Sequence, residues 1–456
     1  MADTIAAIAT GTGVSAIGIL RLSGDGAIDA ADAVFNAYGG VSMKDAPDRK
    51  LCYGELHGVD GGVIDICLCT VSRGPNSYTG EDTAEFQCHG SPVVLAEGLK
   101  ALFAKGARQA TRGEFTKRAF LNGRMDLSQA EAVVDLIDSE TAEAAKNAVG
   151  QLSGVMGEKF RAIYSGLTDI MAHFHAVIDY PDEDIEDFQL SAYKNDLESY
   201  GEALKKMLAT FDRGKILRFG VKSAIIGCPN AGKSSLLNAL LGYERAIVTD
   251  IPGTTRDTIE ERVRFGDVLL ALSDTAGMRD TDDTVERMGV ERAVSAAEGA
   301  QLVLAVFDGS RPLTEEDMRV LGQAQKAPCA IAVINKSDLP QVIDVSAISE
   351  KLPRAVNLSA KTGEGMDSLE LAVKDMFGGQ APAVQGELIT NARHADAAKR
   401  ALESITSAVS ALDSGITPDA VLTEVESAMS AIGEVTGATV REDVTDRIFE
   451  RFCVGK

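Results

Sequence analysis

Short apolar runs, Ala16–Leu22 and Val63–Val71, alternate with glycine-rich turns through the first 120 residues and predict an α+β region. From residue 126 the period changes. Leu127, Ala130, Val133, Val134 and Ile137 recur at helical spacing, and long proline-free segments continue to residue 213. The acidic stretch Tyr180-Pro181-Asp182-Glu183-Asp184 interrupts them and predicts a turn. Residues 217–379 alternate strand-like and helical runs, the pattern of a doubly wound, mostly parallel sheet. Helical spacing returns over 391–450, in Leu402, Ile405, Val409, Leu412 and then Val421, Val425, Met429, Ile432. Gly378-Gly379-Gln380-Ala381-Pro382 reads as a linker. The expected organisation is an α+β domain over 1–120, a helical domain in two parts, 121–216 and 380–456, and an α/β domain over 217–379 inserted between those parts. Insertion is tolerated because domain termini often lie close together. Three independent domains in series are the alternative.

Composition narrows the class. With 456 residues there is chain enough for several cores, and 45% hydrophobic and 25% charged residues are ordinary for a globular protein. No apolar run is long enough to span a membrane and no secretory leader pattern opens the chain, so no membrane role is expected. The seven cysteines form no CxxC pair, which fits a reducing, cytoplasmic setting. A net charge of −23 argues against a protein that grips nucleic acid unaided and makes any such role one shared with a partner. Tryptophan is absent, so base-stacking platforms get no support.

The chemistry begins after the apolar strand Val221–Ile226. Gly227-Cys228-Pro229-Asn230-Ala231-Gly232-Lys233-Ser234, followed by Ser235-Leu236-Leu237-Asn238, matches a phosphate-binding loop in its strand–loop–helix context. Its amides point inward at a helix N-terminus that favours anions. Lys233 is expected on the β- and γ-phosphates and Ser234 on Mg²⁺. A second apolar run, Val268–Ser273, ends in Asp274-Thr275-Ala276-Gly277, where the aspartate would hold Mg²⁺ through water and Gly277 would offer an amide to the γ-phosphate. Ala330–Ile334 leads into Asn335-Lys336-Ser337-Asp338. The Asp338 carboxylate can accept from the N1–H and N2 amine of guanine; adenine offers neither, which selects GTP and leaves a buried aspartate unpaired against ATP. Ser359-Ala360-Lys361 would place an amide on the guanine O6. Between the first two motifs, Thr249-Asp250-Ile251-Pro252-Gly253-Thr254-Thr255-Arg256-Asp257 should supply a hydroxyl to Mg²⁺ when the γ-phosphate is present, making it a switch loop. Asn230 to Ser235, Thr249 to Thr255, Asp274 to Gly277, Asn335, Lys336, Asp338 and Ser359 to Lys361 thus form the expected nucleotide site.

These segments, in this order and wording, resemble the translation-factor-related small GTPases, a group that includes ribosome-assembly enzymes. The flanks resemble one family within it, the MnmE (TrmE) tRNA-modification GTPases. The ending Arg451-Phe452-Cys453-Val454-Gly455-Lys456 is similar to that family's C-terminal signature. Gly18-Ile19-Leu20-Arg21-Leu22-Ser23-Gly24, Pro75-Asn76-Ser77-Tyr78-Thr79-Gly80-Glu81-Asp82 and the run from Gly113 to Leu127 agree with it. The resemblance implies a homodimer built through the N-terminal domain. It implies work with MnmG (GidA), an FAD-binding partner, in a heterotetramer or larger complex that supplies most of the tRNA contact. Together they would add an aminomethyl or carboxymethylaminomethyl group to C5 of a wobble uridine, the carbon coming from 5,10-methylene-tetrahydrofolate. By matching position the folate would sit on Arg21, Glu85, Arg124 and Lys456. Read alone, Arg124 is a surface charge, Glu85 a solvated strand-edge residue and Arg21 the end of a strand or helix. Some family members carry Lys at position 124, which keeps the charge and changes the geometry.

The site departs from Ras-like enzymes, because Met278 stands where their glutamine orients the attacking water. The resemblance implies a potassium ion beside the phosphates instead of an arginine finger, held by Asn230, Thr249, the Ile251 carbonyl and Thr254, with Thr255 on Mg²⁺. It also implies that Glu286 positions water, acting through a bridging water molecule; by itself Glu286 reads as a solvated helix residue. Lys233 and Asn230 complete the catalytic set. Cys453 reads as a small buried apolar side chain rather than a nucleophile. The rival function is a ribosome-assembly GTPase that binds rRNA without modification chemistry.

Overall fold

The computed structural model describes residues 3–11, 13–179, 187–243, 261–272, 299–378, 386–415, 418–439 and 442–456. They divide into two compact units, both discontinuous in sequence: residues 1–134, 151–202 and 397–456 in the first, 135–150 and 203–396 in the second.

The first unit is built on a seven-stranded sheet. Its strands are β1 (Ile5–Ile8), β2 (Ile17–Ser23), β3 (Phe35–Ala37), β4 (Cys52–His57), β5 (Val63–Ser72), β6 (Thr83–His89) and β7 (Arg108–Gln109), in the order β3-β4-β5-β6-β2-β1-β7. All neighbours are antiparallel except β1 and β7. Buried and less buried positions alternate along β2, β5 and β6, so one face of the sheet enters the core and the other is left for something else. Leu20, Leu56 and Phe86 on the core face pack with Leu95 and Leu102 of the helix Pro92–Ala104. The approach is close enough that a Cβ on Gly98 would lie 2.6 Å from the Leu20 side chain. The helical period starting at Leu127 forms the helix Leu127–Ile137, and Leu127, Ala130 and Val133 pack against Phe449 and Phe452. The long helix Val155–Asp179 packs along Pro418–Thr436, so the two helical segments on either side of the α/β region share one bundle.

The second unit carries a six-stranded sheet of β8 (Val221–Gly227), β9 (Glu261–Phe265), β10 (Val268–Leu272), β11 (Leu302–Asp308), β12 (Cys329–Asn335) and β13 (Ala355–Asn357), ordered β13-β12-β11-β8-β10-β9. It is parallel except for the edge strand β9. Every residue of β10 and β11 is buried, because apolar clusters cover both faces. With both faces filled, a ligand can meet this sheet only at the strand ends, and the loops after β8 and β12 lie there, at the same carboxyl edge.

Candidate functional site

The phosphate loop leaves β8 at Gly227 and enters the helix Lys233–Tyr243. Two of its glycines are required by what surrounds them. A Cβ on Gly227 would come within 2.6 Å of the Val306 carbonyl, and one on Gly232, which has φ +99°, would collide with the Asn335 amide. Lys233 Nζ donates to the carbonyls of Gly227 and Cys228, each at 2.9 Å, so the amine lies over the loop it serves. Ser234 and Ser235 are exposed in the first helical turn, and Ala231 is buried. Asn230 is exposed with φ +59°, a left-handed conformation that asparagine tolerates better than most side chains.

Asn335 holds three motifs together. It is buried at the end of β12; its Nδ2 donates to the Ala231 carbonyl at 2.9 Å and its Oδ1 accepts from the Ala360 amide at 2.9 Å. Ser359, fully buried, donates from Oγ to Asp338 Oδ1 at 2.7 Å and so orients the carboxylate. Asp338 itself is exposed rather than buried, a correction to the sequence expectation; it is a bound base that would take it from water. Lys361 is exposed beside it in sequence. Lys336 adopts φ +66° and its Nζ reaches Asp308 Oδ2 at 2.5 Å. Burial raises the Asp308 carboxyl, but Lys336 and the Ser310 donors outweigh it and hold it below its ordinary value.

Sequence reasoning missed two partners here, Asp308 and Asp317. Asp308 carries no motif of its own; only the β11–β12 register, Asp308 opposite Asn335, puts it beside Lys336. Asp317, 1% exposed, takes two hydrogen bonds from Arg311 at 2.7 and 3.1 Å and closes a capping box with Thr314. Burial and the neighbouring Asp317 carboxylate push the Cys228 thiol up to about 12. The loop cysteine is therefore a protonated packing residue and not a nucleophile. Thr249, Asp250, Ile251, Pro252, Gly253, Thr254 and Thr255, Asp274 to Gly277, and Glu286 lie outside the described residues.

A second constellation lies in the first unit. Arg21 on β2 and Glu85 on β6 are register partners and form an ion pair, Nε to Oε1 2.7 Å. Both are half-buried on interior strands, so neither is a strand-end or strand-edge residue, as each reads when taken alone. The rings of Tyr78 and Phe115 lie 5.7 and 5.8 Å from the Arg21 guanidinium, a contact sequence reasoning did not anticipate. The C-terminal residues lie against this place without joining the sheet. Val454 bridges Arg112, Gly113 donates to the Cys453 carbonyl at 3.3 Å, and Arg21 Nη1 reaches the Gly455 carbonyl at 3.4 Å. Cys453 is exposed, not buried as its bland reading had it. Burial and the neighbouring Arg21 push the Lys456 amine below its ordinary value, against the pull of Glu85. Arg124 is exposed, with its Cγ 3.3 Å from where a Cβ on Gly80 would stand.

A parallel sheet with a glycine-bounded phosphate loop at one strand end and an asparagine–aspartate pair at another defines a P-loop GTPase. Comparison with known proteins sharpens this. Residues 4–124 match the GTP-binding protein TrmE N-terminus and residues 127–453 the MnmE helical domain. The tRNA modification GTPase MnmE of Clostridioides difficile is 43% identical over 458 aligned positions, 100% of this chain and 99% of its own. Its counterparts in Alkaliphilus metalliredigens and Geobacillus thermodenitrificans are 42% and 43% identical with the same coverage. The chain belongs to the MnmE family of tRNA modification GTPases. Among the described residues no helix is long and apolar enough to cross a membrane.

Proposed function

We propose that this chain is a potassium-stimulated GTP hydrolase that acts in the cytoplasm as a homodimer with an FAD-binding partner of the MnmG kind. The pair modifies C5 of the tRNA wobble uridine with a one-carbon unit from 5,10-methylene-tetrahydrofolate. The observation that carries the folate part is the meeting of Arg21, Glu85 and Lys456, which are remote in sequence. Two cations held together in a partly buried place repel one another, and an anionic ligand relieves that repulsion. A folate brings both halves of the match: a pterin amide and amine for the Glu85 carboxylate, and a carboxylate tail for the cations, Arg124 included. The folate supplies the transferable carbon; Tyr78 and Phe115 keep the Arg21 guanidinium in place for it.

For hydrolysis, Lys233 neutralises phosphate charge and Ser234 and Thr255 hold Mg²⁺. The neutral amide of Asn230, exposed on the loop, suits a weakly hydrated monovalent ion, with Thr249, Ile251 and Thr254 as the other ligands. Glu286 orients water in place of the glutamine that Met278 displaces. Reconstitution of the full chain with the FAD-binding partner, tRNA, GTP and methylene-folate should yield the modified nucleoside, faster in potassium than in sodium. Wobble uridine left unmodified under every condition would favour an rRNA-binding assembly GTPase instead, and equal rates in the two salts would remove potassium from the site.

A further inference from the structure

The first unit holds a third group of reactive side chains, three residues along β6 from Glu85 and unused by the reading above. Cys67 and Asp65 are two apart on β5 and so share one face of the sheet. The last paired residues of β5 and β6 in that direction are Leu68 and Gln87, and one further step sets Cys67 opposite Cys88. The two sulfurs lie within 4.8 Å of each other. Among the described residues Asp65, Cys67 and Cys88 are the one trio whose ligand atoms, a carboxylate oxygen and two sulfurs, all lie within 4.8 Å of one another.

We propose that Asp65, Cys67 and Cys88 together bind one thiophilic divalent cation of the zinc type at this end of the sheet. Two thiolates on a tetrahedral ion with bonds of about 2.3 Å stand about 3.8 Å apart, so the trio needs little rearrangement to close on it. The plainer reading of Cys67 and Cys88, at 4% and 2% exposure, is that of small apolar core residues. It does not account for Asp65, whose side chain is only 9% exposed. One of its oxygens converges with the two sulfurs, which apolar packing of the thiols does not require. The carboxylate is also held in one orientation. Oδ1 accepts from the Ile66 amide and lies 2.8 Å from His89 Nδ1, and Oδ2 accepts from the His89 amide at 2.8 Å. Carboxylates that ligate metals are themselves hydrogen-bonded, as this one is. The His89 side chain is 76% exposed, so the site reaches solvent on that side, and three protein ligands leave the fourth position to water.

Binding displaces the two thiol protons to solvent and changes no oxidation state, so affinity falls as pH falls. Cys69, fully buried, is two residues further along β5 and opposite Cys52 on β4. Burial and the neighbouring thiols Cys67 and Cys52 raise its own thiol well above the ordinary value, which leaves it a neutral packing residue.

The test titrates Co²⁺ into the reduced, nucleotide-free full-length protein without Mg²⁺. We expect one cobalt per chain, with thiolate-to-cobalt absorption in the near ultraviolet and the visible bands of a tetrahedral ion, both removed by one equivalent of Zn²⁺. Cys67→Ala and Cys88→Ala should each abolish the ultraviolet absorption, while Cys228→Ala and Cys453→Ala keep it. His89→Ala should weaken binding by about 10- to 100-fold. Because a core variant can fail by misfolding, far-ultraviolet circular dichroism and the thermal transition of each variant are measured beside its titration, and wild-type protein should also gain thermal stability with zinc and lose that gain with a chelator. A reduced wild-type protein that shows no sulfur-to-cobalt absorption, or an absorption that survives in folded Cys67→Ala and Cys88→Ala, overturns the proposal.

Discussion

The two sheets solve the problem of placing a site in opposite ways. In the second unit every residue of β10 and β11 is buried, and the nucleotide motifs among the described residues sit in loops past the strand ends. In the first unit β2 and β6 alternate, and Arg21 and Glu85 project from mid-strand positions on the face the core leaves over. A parallel sheet covered on both sides can offer only its edge, whereas an antiparallel sheet covered on one side can offer a surface. The first design keeps site residues contiguous in sequence. The second scatters them across strands.

If the two sites are separate in this sense, changes at one should leave the other intact. The largest effect is expected from Asp338→Asn. It should reverse the preference for GTP over xanthosine triphosphate by about 10⁴, since xanthine needs a donor where guanine needs an acceptor. Equilibrium binding of both nucleotides reads this, and folate binding should not move. Glu286→Ala should lower single-turnover hydrolysis by about 10²–10⁴ with GTP affinity almost unchanged; a rate within twofold of wild type would return Glu286 to the solvated surface.

Acid should separate the units through one carboxylate in each. Burial pushes Glu114 up, but Arg108, the Thr111 amide and Arg118 outweigh it and hold the group at about 2. In the second unit Asp317, likewise raised by burial, is held at about 2 by Arg311, Cys228 and Thr314. Both are depressed carboxylates, so the stability they confer is present above their ordinary values of 4.5 and 3.8 and is lost as pH falls toward about 2. Each shift corresponds to about 2–3 kcal/mol. Acid melting curves should therefore flatten for both Glu114→Gln and Asp317→Asn; an acid slope unchanged in either variant would mean that its arginine pairs contribute less than their geometry indicates. The smallest effect is expected at exposed Arg124, where Arg124→Lys should change folate affinity by about fivefold or less.

The same contrast explains what could be read beforehand. The apolar runs at Val221–Ile226, Val268–Ser273 and Ala330–Ile334 became β8, β10 and β12 with ends displaced by one residue or so, and the loop after β8 is a phosphate loop in context. Periodicity from Leu127 likewise became a helix beginning at that residue. Asp308 was not legible, because its partner Lys336 is reached through strand register, not spacing. Nor were Arg21 and Glu85, whose pairing depends on a cross-strand neighbour 64 positions away; only resemblance to a family singled them out. Cys67 and Cys88 are illegible for that reason too, since CxxC spacing runs along the chain and this pair meets across it.

Arg21 and Gly455 are 434 positions apart, and the unit that unites them is interrupted by the whole of the second. On the ribosome the first sheet therefore emerges long before the residues that finish its site. Through most of synthesis the Arg21 ion pair has to wait with one side uncovered, and closing so long a loop is slow relative to local folding. A nascent chain should be able to hold GTP before it can hold a folate. The order in which the protein gains its ligands would then be written in the order of its sequence, with the newest residues completing the oldest domain.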